Sequence, residues 1–559
     1  MLALLTDICN NAASKTSRVR CRAIAVSIPQ GIRPLGVNLV TLFTDSLAHY
    51  SLPEFDPSWR AIKRGIEKES LRISPTGDIS TKTHPAALGS ALKNPFVTTD
   101  FSEALLEFIT PAYEDIDECL KVLENTHRFT IQNLSDNELL WVASMPCPLG
   151  DELDIPIAQY GSSNVGKLKT LYRHGLSNRY GRLMQVIAGI HYNFSMPKDF
   201  WAPYQKICGD NGSLQDFVTQ KYLHLIRNFH RNSWLLIYLF GASPAACKCF
   251  VQGREHNLQE LDSGSLFLPN ATCLRMGNLG YKSDAQKSLF VCYNELDTYA
   301  ECLSDAMHTP YPEYETLGQK RDGEYLQLNT NLLQLENEFY STIRPKRVVQ
   351  SGERPLDALT SKGIEYVEVR LLDLNPYLPL GIDAQQTRFL DAFLLHCLLD
   401  ESPHCDEREF FEVSQNITKV VENGRDPNLE LIKASKPHKL VDWAQELLDG
   451  VAFSSALLDG DDSNLHEESR LAQLAKLRDP SLTPSGMMLN DMQKNGQSFF
   501  KFSMQQSKVQ QEYLSEGGID QQAKTLMEKT AKDSIIEQAS IEAADTMDFD
   551  EYLRRWNQT

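Results

Sequence analysis

The chain has 559 residues, 42% of them hydrophobic and 23% charged, and 74 acidic against 55 basic residues leave a formal net charge of −19. That composition is ordinary for a soluble globular protein. The charge argues against nucleic acid or an anionic membrane surface as the partner, because both reward basic patches. It leaves room for anionic small molecules, which need only a local cationic pocket. No stretch of the sequence has the uninterrupted apolar length of a membrane-spanning helix. The 12 cysteines include no Cys-x-x-Cys pair, and the one close pair, Cys247 and Cys249, has no second half at zinc-site spacing. Reduced thiols and a cytoplasmic location are the simplest expectation.

Residues 1 to about 50 carry Lys15, Arg18, Arg20, Arg22 and Arg33 but only Asp7 and Asp45 as acids. Such a leader has the composition of a transit peptide without its amphipathic period, and it reads as a dispensable N-terminal extension outside the fold. The first strong element is Gly65-Ile66-Glu67-Lys68-Glu69-Ser70-Leu71-Arg72, a strand that ends at the turn Pro75-Thr76-Gly77-Asp78. Alternation puts Glu67 and Glu69 on one face, about 7 Å apart, with Lys68 on the other. If buried, two such carboxylates call for a countercharge, and Mg²⁺ or Mn²⁺ supplies it with oxygen ligands. The competing reading is a solvent-facing edge with two exposed acids.

Four later segments bear on that choice. In Thr98 to Pro111, Asp100 and Glu107 sit in apolar sequence, where acids are costly unless paired or metal-bound; Asp100 could instead cap a short helix. In the strand-like run Ile187 to Ser195, His191, Asn193 and Ser195 share a face suited to a metal or a phosphate. A lone His is more often structural. Ile343 to Arg347 concentrates positive charge that neutralises phosphates or simply forms a solvated loop. In the strand Ile364 to Leu371, Tyr366, Glu368 and Arg370 fall on one face. A further strand is read at Leu326 to Asn329, and helices at Asp115 to Asn133, Phe217 to Phe240 and Gln385 to Leu399. Trp234 to Phe240 is a core helix or a buried strand. No G-x-G-x-x-G opens a helix and no G-x-x-x-x-G-K-[ST] occurs, so neither a Rossmann site nor a P-loop is indicated. An α+β fold with an antiparallel or mixed sheet fits best. Beyond Ser402 the chain is polar, Gln- and Glu-rich and broadly helical, with no cluster that carries chemistry.

The motifs at 65–72, 84–92, 98–111, 158–164, 171–173, 189–195, 240–244, 343–347 and 364–370 resemble those of bacterial glutamate–cysteine ligases of the proteobacterial type. The resemblance runs from Trp59 to Asp400 and fades beyond; the leader has no counterpart in it. It implies a catalytic core at 51–400, a mainly helical region at 401–559 packed on that core, and an extension at 1–50. The implied fold is α+β, a glutamine-synthetase-like curved, mostly antiparallel sheet with surrounding helices. The implied reaction is ATP-dependent joining of the L-glutamate γ-carboxylate to the L-cysteine amine through γ-glutamyl phosphate, the first step of glutathione biosynthesis. By the same resemblance Glu67, Glu69, Asp100, Glu107, His191 and Glu368 hold Mg²⁺, or Mn²⁺ in its place. Arg370, with Arg173 and Arg347, stabilises the transferring phosphoryl group. Phe101, Tyr172, Gln185, Asn193, Tyr281 and Tyr340 line the cysteine pocket, and Arg275 meets a substrate carboxylate. For the aromatic residues, plain core packing is the competing reading. The resemblance also favours a monomer. Alternatives are a γ-glutamyl ligase with another amine acceptor and a non-catalytic glutamate or nucleotide sensor.

Overall fold

Seven strands from distant parts of the chain form one sheet, and side-chain alternation decides what each of its faces carries. The computed structural model describes residues 60–147, 150–280, 284–286, 289–349, 353–461 and 463–558. The leader at 1–50 and Tyr281 lie outside the described residues. The strands are β1 (Lys63–Ile73), β2 (Val97–Thr99), β3 (Leu105–Ile109), β4 (Leu139–Leu140), β5 (Ile190–Ser195), β6 (Ile343–Lys346) and β7 (Tyr366–Leu372). They run in the order β6-β7-β5-β1-β3-β2, with β4 on the end of β1, and every pairing is antiparallel.

Opposed residues on antiparallel neighbours point to the same face. Glu69 pairs with Glu107, Glu67 with His191, Asn193 with both Gly65 and Glu368, and Glu368 with Arg344. One face is therefore polar from β3 to β6. The other carries Ile66, Phe108, Ile190, Tyr192, Phe194, Val367 and Val369, each fully buried. Lys68 lies on that apolar side, where its ammonium bonds Ser70 Oγ at 2.7 Å and meets His127 Nε2 at 2.9 Å.

His127 comes from α1 (Ile116–Asn133), whose N-cap Asp115 accepts from the Glu118 amide. Helix α2 (Asn164–Tyr180) is capped by Ser163 and ends at Gly181, where φ is 82° and glycine is favoured. Helix α3 (Leu214–Phe240) packs on β6 and β7, and its C-terminal half is buried almost throughout. Trp234 to Phe240 is thus a core helix. Helix α4 (Ala384–Leu399), capped by Asp383, packs against α3.

From 407 onward the structure is mostly helical. Helix α5 (Glu407–Asn423) lies along α3, where Arg231 and Glu409 pair at 2.6 Å. Helices α6 (Leu440–Asp459) and α7 (Leu465–Arg478) pack on each other and on α4. Helices α8 (Phe499–Glu516), α9 (Gln521–Ala544) and α10 (Phe549–Trp556) return to the sheet region. Arg128 on α1 donates to Leu514 O at 2.6 Å, the Ser90 amide to Ser534 Oγ at 2.9 Å, and Asn164 Nδ2 to Asp545 Oδ1 at 2.8 Å. Leu553 of α10 completes a cluster with Leu168, Leu171 and Leu328. Among the described residues no helix is long and apolar enough to cross a membrane.

Two expectations fail. Leu326 to Asn329 is not a strand, because side chains take its backbone groups: Asn178 Nδ2 donates to Leu326 O, and the Leu328 amide donates to Gln334 Oε1. Nor are all thiols reduced. Cys147 and Cys247 form a disulfide across 100 residues, because the fold brings their Cα atoms to 6.1 Å, a proximity that spacing along the chain does not reveal.

Candidate active site

The polar face gathers acids on β1 and β3 and cations on β6 and β7. Glu67 Oε2 lies 3.1 Å from His191 Nδ1, and Glu67 Oε1 accepts from Asn193 Nδ2 at 2.9 Å. Glu69 Oε1 lies 3.8 Å from His191 Nε2, and Glu69 Oε2 accepts from the Gly189 amide at 2.6 Å. A Cβ at position 189 would come within 2.9 Å of the Arg275 guanidinium and would displace it. Ligand atoms of Glu67, Glu107 and His191 all lie within 4.8 Å of one another. Asp100 follows β2 in a bend, so it caps no helix. Its carbonyl accepts from Tyr160 Oη at 2.9 Å and from Arg173 Nε, and its charge reaches Glu69 and Glu107.

These acids are not equivalent. Burial, with Asp100 adding to it, pushes Glu69 up to about 7 against the opposing pull of His191. Burial and then Glu67, Asp100 and Glu69 push Glu107 well above the usual carboxylate range. Burial opposes ionisation of Glu67 and Glu368 as well. There the hydrogen bond with His191 holds Glu67 low, and Lys346 and Arg370 hold Glu368 far lower. Buried carboxylates raised by their own neighbours are short of positive charge. The donor set, carboxylate oxygens with one imidazole, suits a hard divalent cation. A buried acceptor without a donor, Asn193 Oδ1, agrees with it.

The cationic side is built around Glu368, which takes Arg370 Nη1 at 2.9 Å and Lys346 Nζ at 3.3 Å. Arg370 also lines a cavity of about 400 Å³, together with His191, Arg275 and Tyr340. Arg275 is buried and fixed by Asp373 at 2.7 Å; Asp373 in turn accepts from the Ala242 amide and Ser243 Oγ. The outer wall of the cavity is apolar, with Phe290, Phe410, Val413 and Ile417.

Phe101 is almost wholly buried, and Tyr172 packs against the Leu168–Leu171–Leu328–Leu553 cluster. Gln185 is buried and close enough to the Tyr340 side chain to oppose the rise that burial causes in its pKa. Arg173 spends its guanidinium on Asp100 O and Lys169 O, and Arg347 on Lys362 O and Gly363 O. Sequence reasoning did not single out Lys346, although alternation through Ile343 to Arg347 carried the signal. Nor did it find Gln286, whose Oε1 accepts from the Tyr340 amide at 2.9 Å; no motif marks it.

The sequence model of the glutamate-cysteine ligase family matches residues 50–420. The chain is 50% identical over 518 residues to a glutamate–cysteine ligase of Azotobacter vinelandii, covering 92% of this chain and 97% of that one. It is 50% identical to one of Pseudomonas putida, covering 89% and 95%. The crystal structure of the Francisella tularensis glutamate–cysteine ligase in complex with AMP superposes with a TM-score of 0.84 at 35% identity, covering 89% of this chain and 97% of that one.

Proposed function

The chain belongs to the glutamate–cysteine ligase family, and on that premise we propose how its residues carry the reaction. The reaction joins the γ-carboxylate of L-glutamate to the amine of L-cysteine with ATP as co-substrate; in support, its relatives are named glutamate–cysteine ligases and one of them is in complex with AMP. In the proposed course the γ-carboxylate attacks the terminal phosphorus of ATP and ADP leaves. The cysteine amine then attacks the acyl carbon of γ-glutamyl phosphate and phosphate leaves. Such transfers need positioning and charge neutralisation more than covalent help.

We assign Glu67, Glu69, Asp100, Glu107, His191 and Glu368 to hold Mg²⁺, which neutralises phosphate charge and polarises phosphoryl oxygens when bound. Arg370, which lines the cavity, and Lys346, which shares Glu368 with it, stabilise charge on the transferring phosphoryl group. Arg173 holds the Asp100 backbone, and Arg347 the 362–363 turn. Arg275, fixed by Asp373, takes a substrate α-carboxylate. Phe101, Tyr172, Gln185, Asn193, Tyr281 and Tyr340 shape the cysteine pocket. The chain works as a cytoplasmic monomer, where ATP and free cysteine are at hand.

The single observation that carries this reading is the convergence of Glu67, Glu107 and His191 within 4.8 Å beside the Glu368–Arg370 pair. The test is phosphate release from ATP and glutamate with Mg²⁺ and cysteine, 2-aminobutyrate or ammonia. Release that needs cysteine or 2-aminobutyrate, with a γ-glutamyl dipeptide by mass spectrometry, supports it. Release with ammonia alone, or with no amine, overturns it.

A further inference from the structure

Tyr172 on helix α2 and Tyr340 at the end of the segment 334–340 interact electrostatically, and one buried ion pair joins the helix to the segment. Arg179, at the C-terminal end of α2, pairs with Glu338, and both side chains are essentially inaccessible. The same Glu338 oxygen accepts from Tyr180 Oη at 2.8 Å, whose oxygen is 2.9 Å from the Tyr314 hydroxyl. The other oxygen accepts from the Gln334 amide at 2.9 Å. The Glu338 carbonyl accepts from Gln286 Nε2 at 3.1 Å, and Gln286 Oε1 accepts from the Tyr340 amide at 2.9 Å. The Arg179 guanidinium lies 5.0 Å from the centres of the Tyr180 and Tyr314 rings, and the Tyr180 and Tyr340 rings meet edge to face at 6.5 Å.

This is more machinery than joining a helix to a loop requires. A buried pair is weak evidence for stability, since apolar replacements often stabilise as well. What such a pair fixes is geometry. Here two further contacts of Glu338 lead toward Tyr340: through Gln286 to its amide, and through Tyr180 to its ring.

We propose that the Arg179–Glu338 pair is a positioning device that sets Tyr340 against Tyr172 and so fixes the fit of the acceptor amino acid. Neither residue lines the cavity that Tyr340 lines. The inference rests on the reading of Tyr172 and Tyr340 as cysteine-pocket residues and adds what holds them.

The test compares Glu338→Gln, the apolar pair Arg179→Met/Glu338→Leu, and Tyr340→Ala as a pocket control. Glu338→Gln is expected to raise KM for cysteine about tenfold or more and leave KM for glutamate and ATP within about twofold. The apolar pair is expected to recover thermal stability while KM for cysteine stays high. Recovery of both, or a Glu338→Gln variant with normal KM for cysteine beside a Tyr340→Ala variant in which it is raised, overturns the positioning role and leaves the pocket intact. A Tyr340→Ala variant with normal KM for cysteine overturns the pocket reading, and the positioning role falls with it.

Discussion

Glu69 on β1 and Glu107 on β3 stand directly opposite each other on one face of the sheet, a placement that costs stability for like charges. Both carboxyls are pushed upward by burial and by acidic neighbours. Replacing Glu107 by Gln keeps the shape and removes one charge. Without metal, the variant is expected to unfold about 1 kcal/mol less readily than the parent at pH 8. Its stabilisation by Mg²⁺ and its turnover should largely disappear. Thermal unfolding with and without Mg²⁺, beside a turnover assay, checks both halves; normal turnover at ordinary Mg²⁺ would sink the ligand assignment.

Arg370 is held to Glu368 by one nitrogen and lines the cavity. Lysine retains the charge but not the planar fork. Arg370→Lys is expected to fold normally and lose about a hundredfold or more in turnover. Single-turnover formation of ADP is the measurement. A loss confined to KM would place the residue in ground-state binding instead.

The disulfide closes a loop of 100 residues, and both of its cysteines are buried. Cys147→Ser is expected to cost about 2–4 kcal/mol in unfolding free energy. Intact mass of the denatured, alkylated protein tests the bond directly, and urea unfolding tests the cost. A parent protein that alkylates at every cysteine without reductant contradicts the bond.

The family match begins at residue 50. Removing residues 1–50 should leave kcat/KM within about twofold. A folded truncation without activity would show that the leader serves the reaction.

Much of the site was legible because strand alternation is strict. Glu67 with Glu69, His191 with Asn193 and Glu368 with Arg370 each share a face, as two-residue periodicity requires. What the sequence could not carry is register across strands. Nothing local says that Glu107 lands opposite Glu69. The same gap separated Lys346 from Arg347. Pairing of β6 with β7 turns Lys346 toward Glu368, while Arg347, past the strand end, reaches the carbonyls of 362 and 363. The 326–329 segment misled because its apolar alternation is satisfied by packing on α2 and α10, with side chains taking the backbone bonds that a strand would use.

β7 lies between β5 and β6, so a strand late in the sequence completes a face begun near the start. Glu67 and Glu368 are 301 positions apart (368 − 67). Synthesis proceeds from the N-terminus, and contacts of such separation close slowly. A nascent chain that stops short of β7 therefore carries the acids without Glu368 and Arg370. On the proposed assignment such a chain has only half of a phosphate site, and the competence to start the reaction arrives with nearly the whole catalytic face already made.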